Sequence, residues 1–241
     1  MELPVTEDAL LGGRVRLLQP RRGYRVAVDA VLLASAVDAA PFERVLDLGA
    51  GVGAVGLCIA TRVRGCTVMG VELQASLAAL AERNAELNGL ADRVSVIVRD
   101  LAKPLPPELG LFDHVATNPP YLAKEVADPP PDASKALATV ESSAKLARWL
   151  AVAAAALKPA GTLTLIHRDD RRDEIVEHLT ELGLGDVVIK PLPRARRVLV
   201  QARRSALARR REAEPLLLHR SNGGYTGEAE AILRHAGPLA F

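Results

Sequence analysis

The stretch Asp47-Leu48-Gly49-Ala50-Gly51-Val52-Gly53 stands between a short apolar run and a segment with helical character. Glycines at such a junction let the backbone approach a ligand, and the start of the helix offers N–H groups without intrahelical partners. Gly51-Val52-Gly53-Ala54-Val55-Gly56 also fits the dinucleotide fingerprint, with acidic Glu72 roughly 20 residues further on. The loop therefore predicts a cofactor site, and an NAD-dependent dehydrogenase is one interpretation of it.

Apolar runs and helical patterns alternate on both sides of this loop. Strands are predicted at residues 44–48, 67–71, 94–98, 111–117, 162–166, 187–189 and 198–200. Helices are predicted at residues 54–63, 142–157 and 171–182, and around the stripe of Leu73, Leu77, Leu80 and Leu87. This alternation is typical of a parallel sheet covered on both faces, but the last two strands are joined too closely for a parallel crossover. The predicted fold is α/β: a Rossmann-like, seven-stranded, mostly parallel sheet with an antiparallel last strand.

Carboxylates follow the ends of three successive predicted strands, at Asp47, Glu72 and Asp100. Open α/β sheets bind ligands at these strand ends. Asp47 suits a methionine ammonium but would repel a pyrophosphate, Glu72 can accept from both ribose hydroxyls, and Asp100 can accept from an adenine amine. The set favours S-adenosyl-L-methionine over NAD. The predicted cofactor-binding residues are Tyr24, Asp29, Asp47, Gly49, Gly51, Gly53, Glu72, Leu73, Asp100, Leu101 and Asn118.

A rigid motif, Asn118-Pro119-Pro120-Tyr121, ends the strand predicted at residues 111–117. Each proline fixes its own φ and restricts the residue before it to an extended conformation. Asn118 and the Pro119 carbonyl can accept hydrogen bonds from an NH2 group, while Tyr121 stacks on the ring that carries it. Asn118, Pro119 and Tyr121 are therefore the predicted catalytic residues, and the predicted substrate is a planar amine.

The first 40 residues predict a small unit packed on the main domain, which comprises residues 41–241. The glycine pair Gly12-Gly13 between two apolar-containing runs predicts a hairpin. A helical run follows Asp29, which is either its N-cap or a wall of the cofactor site. Pro129-Pro130-Pro131 predicts a loop at residues 121–140 that either closes over substrate or merely connects elements. Ser221-Asn222-Gly223-Gly224 predicts the turn of a C-terminal tail.

Composition limits the class of protein. Hydrophobic residues make up 49% of the chain and charged residues 25%, which is usual for a globular domain. The longest nearly apolar run, residues 149–157, is far below the ~20 residues that a bilayer crossing needs, and no basic-then-apolar leader opens the chain. We therefore expect a cytoplasmic protein without a membrane partner. Cys58, Cys66 and the scattered histidines lack metal-type spacing, so no metal site is predicted.

Arginine is concentrated in two parts of the chain. The clustered residues are Arg14, Arg16, Arg21, Arg22 and Arg25, then Arg194, Arg196, Arg197, Arg203, Arg204, Arg209, Arg210 and Arg211. Arginine groups of this kind favour bidentate contacts with phosphate, although an arginine-rich solvated surface explains them equally well.

The combination of glycine loop, carboxylates and Asn-Pro-Pro-Tyr motif resembles a class I S-adenosylmethionine-dependent methyltransferase that acts on amines. A closer resemblance, to the bacterial tRNA1(Val) N6-adenine methyltransferase family, covers nearly the whole chain. It is carried by Leu10-Leu11-Gly12-Gly13, Gly23-Tyr24-Arg25, Asp29-Ala30-Val31-Leu32-Leu33-Ala34, Ala81-Glu82-Arg83-Asn84, Leu87-Asn88-Gly89, Glu214-Pro215-Leu216 and Tyr225-Thr226. The resemblance implies N6-methylation of an adenine in tRNA near the anticodon. Thr139-Val140, before Glu141, stand where many relatives carry Arg-His.

Two other functions remain open at this point. Protein glutamine N5-methyltransferases share the motif, but they carry a helical domain ahead of the sheet, whereas residues 1–44 here are predicted as a hairpin and one helix. A non-catalytic RNA-binding module is disfavoured because the cofactor carboxylates and the motif are both complete. The sequence gives no prediction of the oligomeric state.

Overall fold

Strands and helices alternate along the chain in the computed structural model, which describes residues 4–23, 25–121, 144–205 and 209–241. The strands are β1 (Val5–Leu10), β2 (Val15–Pro20), β3 (Arg44–Leu48), β4 (Thr67–Glu72), β5 (Val94–Val98), β6 (Phe112–Thr117), β7 (Leu157–Arg168), β8 (Gly185–Leu192), β9 (Arg197–Arg203) and β10 (Arg210–Glu212). The helices are α1 (Val28–Ala36), α2 (Ala54–Arg62), α3 (Ala75–Leu87), α4 (Leu146–Ala156), α5 (Arg172–Glu181) and α6 (Gly227–His235).

The main sheet has the order β10-β8-β9-β7-β6-β3-β4-β5. Strands β5, β4, β3, β6 and β7 run parallel, and β9 runs antiparallel to both of its neighbours, β7 and β8. The predicted parallel sheet with an antiparallel last strand is confirmed. The strand number is corrected, because eight strands of the described residues join the sheet and not seven. The additional strand, β10, is short and exposed, and its sequence Arg-Arg-Glu lacks the apolar pattern that marks a strand.

The register of the central strands determines which loops are neighbours. Leu48 at the end of β3 pairs with Val71 of β4 on one side and with Thr117 of β6 on the other. The buried Thr117 hydroxyl also donates a hydrogen bond to the Leu48 carbonyl at 2.9 Å. Because these strands are parallel, the segments that follow them emerge at one edge of the sheet. The glycine loop and the Asn-Pro-Pro-Tyr motif therefore begin side by side.

Helices cover both faces of the sheet and bury its apolar residues. The hairpin, α1, α2, α3 and α6 contribute to one core, with Leu32, Leu57 and Ile232 almost fully buried. Helices α4 and α5 contribute to the other, with Leu150 and Leu179 fully buried. Each such buried leucine or isoleucine stabilises the fold by about 1.5–3 kcal/mol relative to an exposed one. Because helices cover both faces of the sheet, the central strands are apolar on both sides.

The N-terminal residues form the predicted hairpin, with Leu10 of β1 paired to Val15 of β2. The prediction that Asp29 is the N-cap of the following helix is wrong. Ala27 is the N-cap of α1, and in the described residues it is not assisted by a side-chain hydrogen bond. Asp29 lies inside the first turn, where its carboxylate is engaged elsewhere, as described below. The division of the chain at residue 40 stays a prediction.

The C-terminal tail follows the predicted turn. His219 and Tyr225 form an antiparallel bridge around Ser221-Asn222-Gly223-Gly224, and their rings stack with centroids 4.9 Å apart. Helix α6 then begins after Thr226, whose hydroxyl accepts a hydrogen bond from the Ala229 N–H at 3.1 Å. A threonine cap of this kind stabilises a helix by about 1 kcal/mol.

Candidate active site

The glycine loop after β3 is fastened to the end of β4. The N–H groups of Gly49 and Ala50 donate to the Val71 carbonyl at 2.9 and 3.0 Å. The Gly51 N–H donates to Oε2 of Glu72 at 2.8 Å. These bonds hold the loop open over the sheet edge, so its backbone is organised before any ligand binds.

Two of the loop glycines need their conformation for different reasons. Gly49 has a φ of 78°, and a Cβ there would lie 2.6 Å from the ring of Trp149. Gly51 has a φ of 55°, and among the described residues nothing lies within 4 Å of the place a Cβ would take. Gly49 therefore permits close packing with Trp149, whereas Gly51 faces open space.

That open space is a cleft at the carboxyl edge of the sheet. The predicted residues that line it are Gly49, Gly51, Glu72, Leu73, Asp100, Leu101, Asn118, Pro119 and Tyr121. The structure therefore brings most of the predicted cofactor residues and the Asn-Pro-Pro-Tyr motif together. Leu73 precedes α3 and is 39% exposed in this cleft, so it does not belong to the buried stripe of that helix.

Other predicted site residues lie elsewhere. Gly53 is the N-cap of α2, with a φ of 85°. Asp47 is buried beneath the loop, and Asp29 lies behind Tyr121, so neither lines the cleft. Tyr24 lies outside the described residues, as do the predicted loop beyond Tyr121 and the Thr139-Val140 departure.

The carboxylates at the strand ends have distinct surroundings. The Glu72 carboxylate accepts the Gly51 N–H at Oε2 and the Gln74 N–H at Oε1, each at 2.8 Å, with a further backbone hydrogen bond from Leu73, and burial raises the pKa of this carboxyl. Asp100 accepts the Ala102 N–H at 2.9 Å. A carboxylate offers about four acceptor positions, so both groups can still accept from a ligand.

Asp47 is the most constrained of these carboxylates. Its side chain is 2% exposed, and within the described part of the chain its Oδ2 atom has no hydrogen-bond partner. Burial raises its pKa to about 7, and the charge of Glu72 adds to this effect, while the Gly56 N–H opposes it. A buried carboxylate without full pairing is unfavourable, and a cation held at the loop would relieve it. With open space at Gly51 and exposed Leu73, these groups fit a cationic nucleoside such as S-adenosylmethionine.

The Asn-Pro-Pro-Tyr motif is packed from behind by polar side chains. The Tyr121 hydroxyl oxygen lies 2.5 Å from Oδ1 of Asn118 and 2.8 Å from Oδ2 of Asp29. The Arg197 guanidinium lies over one face of the Tyr121 ring, 4.3 Å from its centroid. His167 meets the same ring edge-on, with centroids 5.3 Å apart. A flat substrate ring would therefore have to use the other face of Tyr121.

His167 is fully buried beside the motif, with Nε2 3.4 Å from the Pro120 carbonyl. Burial lowers its pKa to about 4, and the positive charge of Arg171 lowers it further in the same direction. The imidazole is therefore neutral at pH 7, and it supports the motif without acting as a general base.

Sequence reasoning missed several residues around the cleft. Trp149 lines it and packs against Gly49. The only local signal was that the single tryptophan of the chain lies in an alanine-rich helix. Arg197 belongs to an arginine cluster for which phosphate binding and a solvated surface are equally good interpretations, but its Nε atom pairs with Asp29 at 3.1 Å.

The family model for the methyltransferase small domain matches residues 25–182. The chain belongs to this family. It is an S-adenosylmethionine-dependent methyltransferase, and the family match favours methyl transfer over the dehydrogenase interpretation of the glycine loop.

Individual relatives agree with the family. The chain is 28% identical, over 85% of each chain, to a protein of Porphyromonas gingivalis named tRNA1(Val) (adenine(37)-N6)-methyltransferase. A protein of the same name from Parabacteroides distasonis is 24% identical over 87% of this chain and 89% of its own. The crystal structure of a predicted O-methyltransferase from Agrobacterium tumefaciens superposes with a TM-score of 0.72 and 27% identity, over 88% of this chain and 99% of that one.

The structure gives three further observations on the methyltransferase. Among the described ranges, none of the helices combines the length and the apolar character needed to span a bilayer. The same ranges contain no group of three or more His, Cys, Asp or Glu side chains arranged to hold a metal ion. Cys58 and Cys66 are buried free thiols, and burial raises the pKa of Cys58 to about 12, which leaves it unreactive.

Proposed function

We propose that this methyltransferase transfers a methyl group to the N6 amine of an adenine in tRNA near the anticodon. One observation carries the proposal: the amine-binding motif and the glycine loop line the same cleft, because Leu48 and Thr117 are register partners at one sheet edge. A donor bound at the loop and an amine bound at the motif would therefore meet.

Residues that line the cleft, and one that lies beneath it, would hold the cofactor. Glu72 would bind the ribose hydroxyls, Asp100 the adenine amine, and Asp47 would balance the positive charge from beneath the loop. Leu73 and Leu101 supply apolar surface for a flat ring. When bound, S-adenosylmethionine supplies a methyl group already activated on a sulfonium.

The chain's remaining contribution is to position the acceptor. The Asn118 side-chain oxygen and the Pro119 carbonyl would accept the two amine hydrogens and direct the nitrogen lone pair into the cleft. Stacking on Tyr121 adds ~1–3 kcal/mol and fixes the ring plane. Because the cleft is recessed at the sheet edge, the target base must be unpaired or flipped out of its helix.

No side-chain base is needed in this scheme. The methylated amine is acidic and can release its proton to water. The neutral His167 imidazole directs Nε2 to the Pro120 carbonyl and is fully buried, so it is unsuited to collect that proton. His167 should therefore contribute no titration to the activity near neutral pH.

Two further observations support RNA as the acceptor and, with it, a cytoplasmic location. Two curated relatives, each 28% identical to this chain, carry the name tRNA1(Val) (adenine(37)-N6)-methyltransferase. The connection between β8 and β9 exposes Arg194 and Arg196 at the same sheet edge as the motif, since Arg197 pairs with Arg168 at the end of β7. Arg194 also contacts the carbonyl of exposed Arg220 at 3.4 Å. These guanidinium groups form a basic surface suited to phosphate.

Incubation with methyl-labelled S-adenosylmethionine and total tRNA tests the proposal, followed by mass spectrometry of the nucleosides. We expect N6-methyladenosine with the wild type. Asn118→Ala should lower kcat by roughly 100-fold or more while the cofactor Kd, measured by calorimetry, stays within about twofold. Asn88→Ala, at the end of α3 away from the cleft, is the control and should retain activity. Label in a nucleoside other than N6-methyladenosine, or no label in the tRNA, would overturn the proposal.

A further inference from the structure

Helix α1 leaves part of its face of the sheet open. Gln201 of β9 donates from Nε2 to the carbonyl of Ala36, the last residue of α1, at 3.3 Å. Arg203 follows two positions later, so it lies on the same face of β9, and it is exposed. Because β9 is antiparallel to β7, Arg203 lies at the edge of the sheet opposite the cleft. A groove begins there, and its lining includes Thr162, Asp186, Gln201, Arg203, Arg209 and Arg211.

The three consecutive arginines at β10 have two different surroundings. Arg210 points to the far face of the sheet, where its Nη2 atom donates to Oδ1 of Asp173 in α5 at 3.0 Å. Side chains alternate between the two faces along an extended chain. Arg209 and Arg211 therefore point to the opposite face, which is that of the groove.

Positive charge in the groove is not balanced by the protein. Within the described ranges, the guanidinium groups of Arg203, Arg209 and Arg211 make no hydrogen bond or ion pair, and all three side chains are exposed. Asp186 is the carboxylate that lines the groove with them. Three like charges beside a single opposite charge repel one another, and an anion bound between them would relieve this repulsion. Guanidinium groups suit phosphate, which they bind in a planar, bidentate geometry.

The groove and the basic surface beside the motif lie at opposite ends of β8. The ends of this strand, Gly185 and Leu192, are roughly 20 Å apart at ~3.3 Å per residue. Exposed Glu212 and Glu214 lie on the segment that runs along β8 between the two surfaces, which are therefore separate. A mononucleotide is too short to touch both surfaces, whereas a folded RNA carries phosphates over the whole distance.

We propose that the groove binds the phosphate backbone of tRNA beyond the nucleotides that enter the cleft. The inference rests on the proposed tRNA substrate. A tRNA whose target base occupies the cleft would contact the basic surface near the motif and reach the groove with a more distant part of its chain. The groove then adds affinity for a whole tRNA that a short RNA with the same target adenine does not receive.

Fluorescence anisotropy with two RNAs tests this second contact. One is the tRNA that the wild type methylates, and the other is a single-stranded oligonucleotide with the same adenine and two nucleotides on each side of it. Arg211→Ala should raise the Kd for tRNA about fivefold and lower the slope of log K against log salt by about 0.7–0.9. The Kd for the oligonucleotide should stay within about twofold. In turnover on tRNA, KM should rise by a similar factor while kcat is unchanged.

Two variants of the same region make the result specific. Arg210→Ala removes one positive charge from the same strand on the other face, and the Kd for tRNA should stay within about twofold. Asp186→Asn removes the opposing charge and should tighten tRNA binding about twofold, and asparagine tolerates the φ of 48° at this position. A cofactor Kd within about twofold of the wild type in every variant shows that the fold is retained.

The contrast between neighbouring arginines decides the outcome. Equal weakening of tRNA binding by Arg210→Ala and Arg211→Ala would mean that only overall charge matters, and the inference would be wrong. Unchanged tRNA binding in Arg211→Ala, or an equal loss for both RNAs, would also overturn it. A wild type that methylates no tRNA would remove the proposed function together with this inference, whereas an active wild type with any of the other results removes the inference alone.

Discussion

Asn84 of α3 pairs with Leu18 of β2 through both ends of its amide. The Leu18 N–H donates to Oδ1 at 2.7 Å, and Nδ2 donates to the Leu18 carbonyl at 2.8 Å. The same Nδ2 group donates to the Val52 carbonyl in the glycine loop at 2.9 Å. A single, fully buried side chain thus joins the N-terminal hairpin to the loop that lines the cleft.

Replacing this amide should be more destabilising than replacing its neighbour. Asn84→Ala leaves three partly or fully buried backbone groups without partners, and we expect the free energy of unfolding to fall by about 3 kcal/mol. Asn88 makes the same reciprocal pair with Arg16, at 2.8 and 2.7 Å, but it is only half-buried. Water can replace the amide in Asn88→Ala, so the expected loss is about 1 kcal/mol. Urea unfolding measures the loss of stability in each variant, and equal losses in Asn84→Ala and Asn88→Ala would contradict the role given to Asn84.

The two loop glycines should separate stability from cofactor binding. In Gly49→Ala the new Cβ meets the Trp149 ring at 2.6 Å, so we expect a loss of about 3 kcal/mol in unfolding free energy. In Gly51→Ala the strain of a left-handed residue should be about 1 kcal/mol, but the methyl group enters the cleft. The affinity of the Gly51→Ala variant for the cofactor, measured by calorimetry, should therefore fall by about tenfold or more.

A third glycine provides the control for that experiment. Gly223, in the exposed turn before Tyr225, has a φ of 87° and open space around its Cβ position within the described residues. Gly223→Ala should show the strain of Gly51→Ala without its effect on the cofactor. If both substitutions left the cofactor affinity unchanged, Gly51 would have no place in the binding site.

Local patterns were enough to predict the parallel sheet and the main parts of the cleft. The residues that line it follow strand ends, and strand ends are marked by short apolar runs that stop at glycine or proline, as at Leu48 and Thr117. Parallel pairing then gathers those ends at one edge without any further information.

The side chains that pack behind the Asn-Pro-Pro-Tyr motif could not be predicted from local patterns. Asp29 and Arg197 lie 168 positions apart in the chain, so no local spacing relates them. A carboxylate before an apolar run is typical of an N-cap, and an arginine among arginines is typical of a basic surface. Only the packing of α1 and β9 behind Tyr121 gives each of them another role.

The basic surface beside the motif should determine how RNA binding depends on salt. Arg194 and Arg196 are exposed, and among the described residues neither pairs with a carboxylate. The double substitution Arg194→Ala/Arg196→Ala should weaken tRNA binding and reduce the slope of log K against log salt by about 1 for each lost phosphate contact. Arg64→Ala, exposed after α2, is the matched control. An unchanged slope in the double variant would show that RNA does not use this surface.

The buried carboxylate beneath the loop should make stability depend on pH in an unusual direction. The pKa of Asp47 is raised from an ordinary value of 3.8 to about 7 by burial. Between these values the unfolded chain has released the proton and the folded protein retains it. The free energy of unfolding should therefore fall as pH rises, by at most about 1.4 kcal/mol per pH unit, and should level off above the folded value.

Comparison with two substitutions isolates this contribution. Asp47→Asn cannot titrate, so the wild type should lose stability relative to it between about pH 4 and pH 7. Asp113 has the opposite behaviour, because the Arg44 N–H and Lys158 outweigh the effect of burial and lower its pKa. Relative to Asp113→Asn, the wild type should gain stability as pH rises through the acidic range.

Saturating S-adenosylmethionine should weaken only the Asp47 effect, since a cation nearby favours the ionised carboxylate. Urea unfolding across this pH range gives all three comparisons, and a wild-type curve parallel to that of Asp47→Asn would contradict the raised pKa.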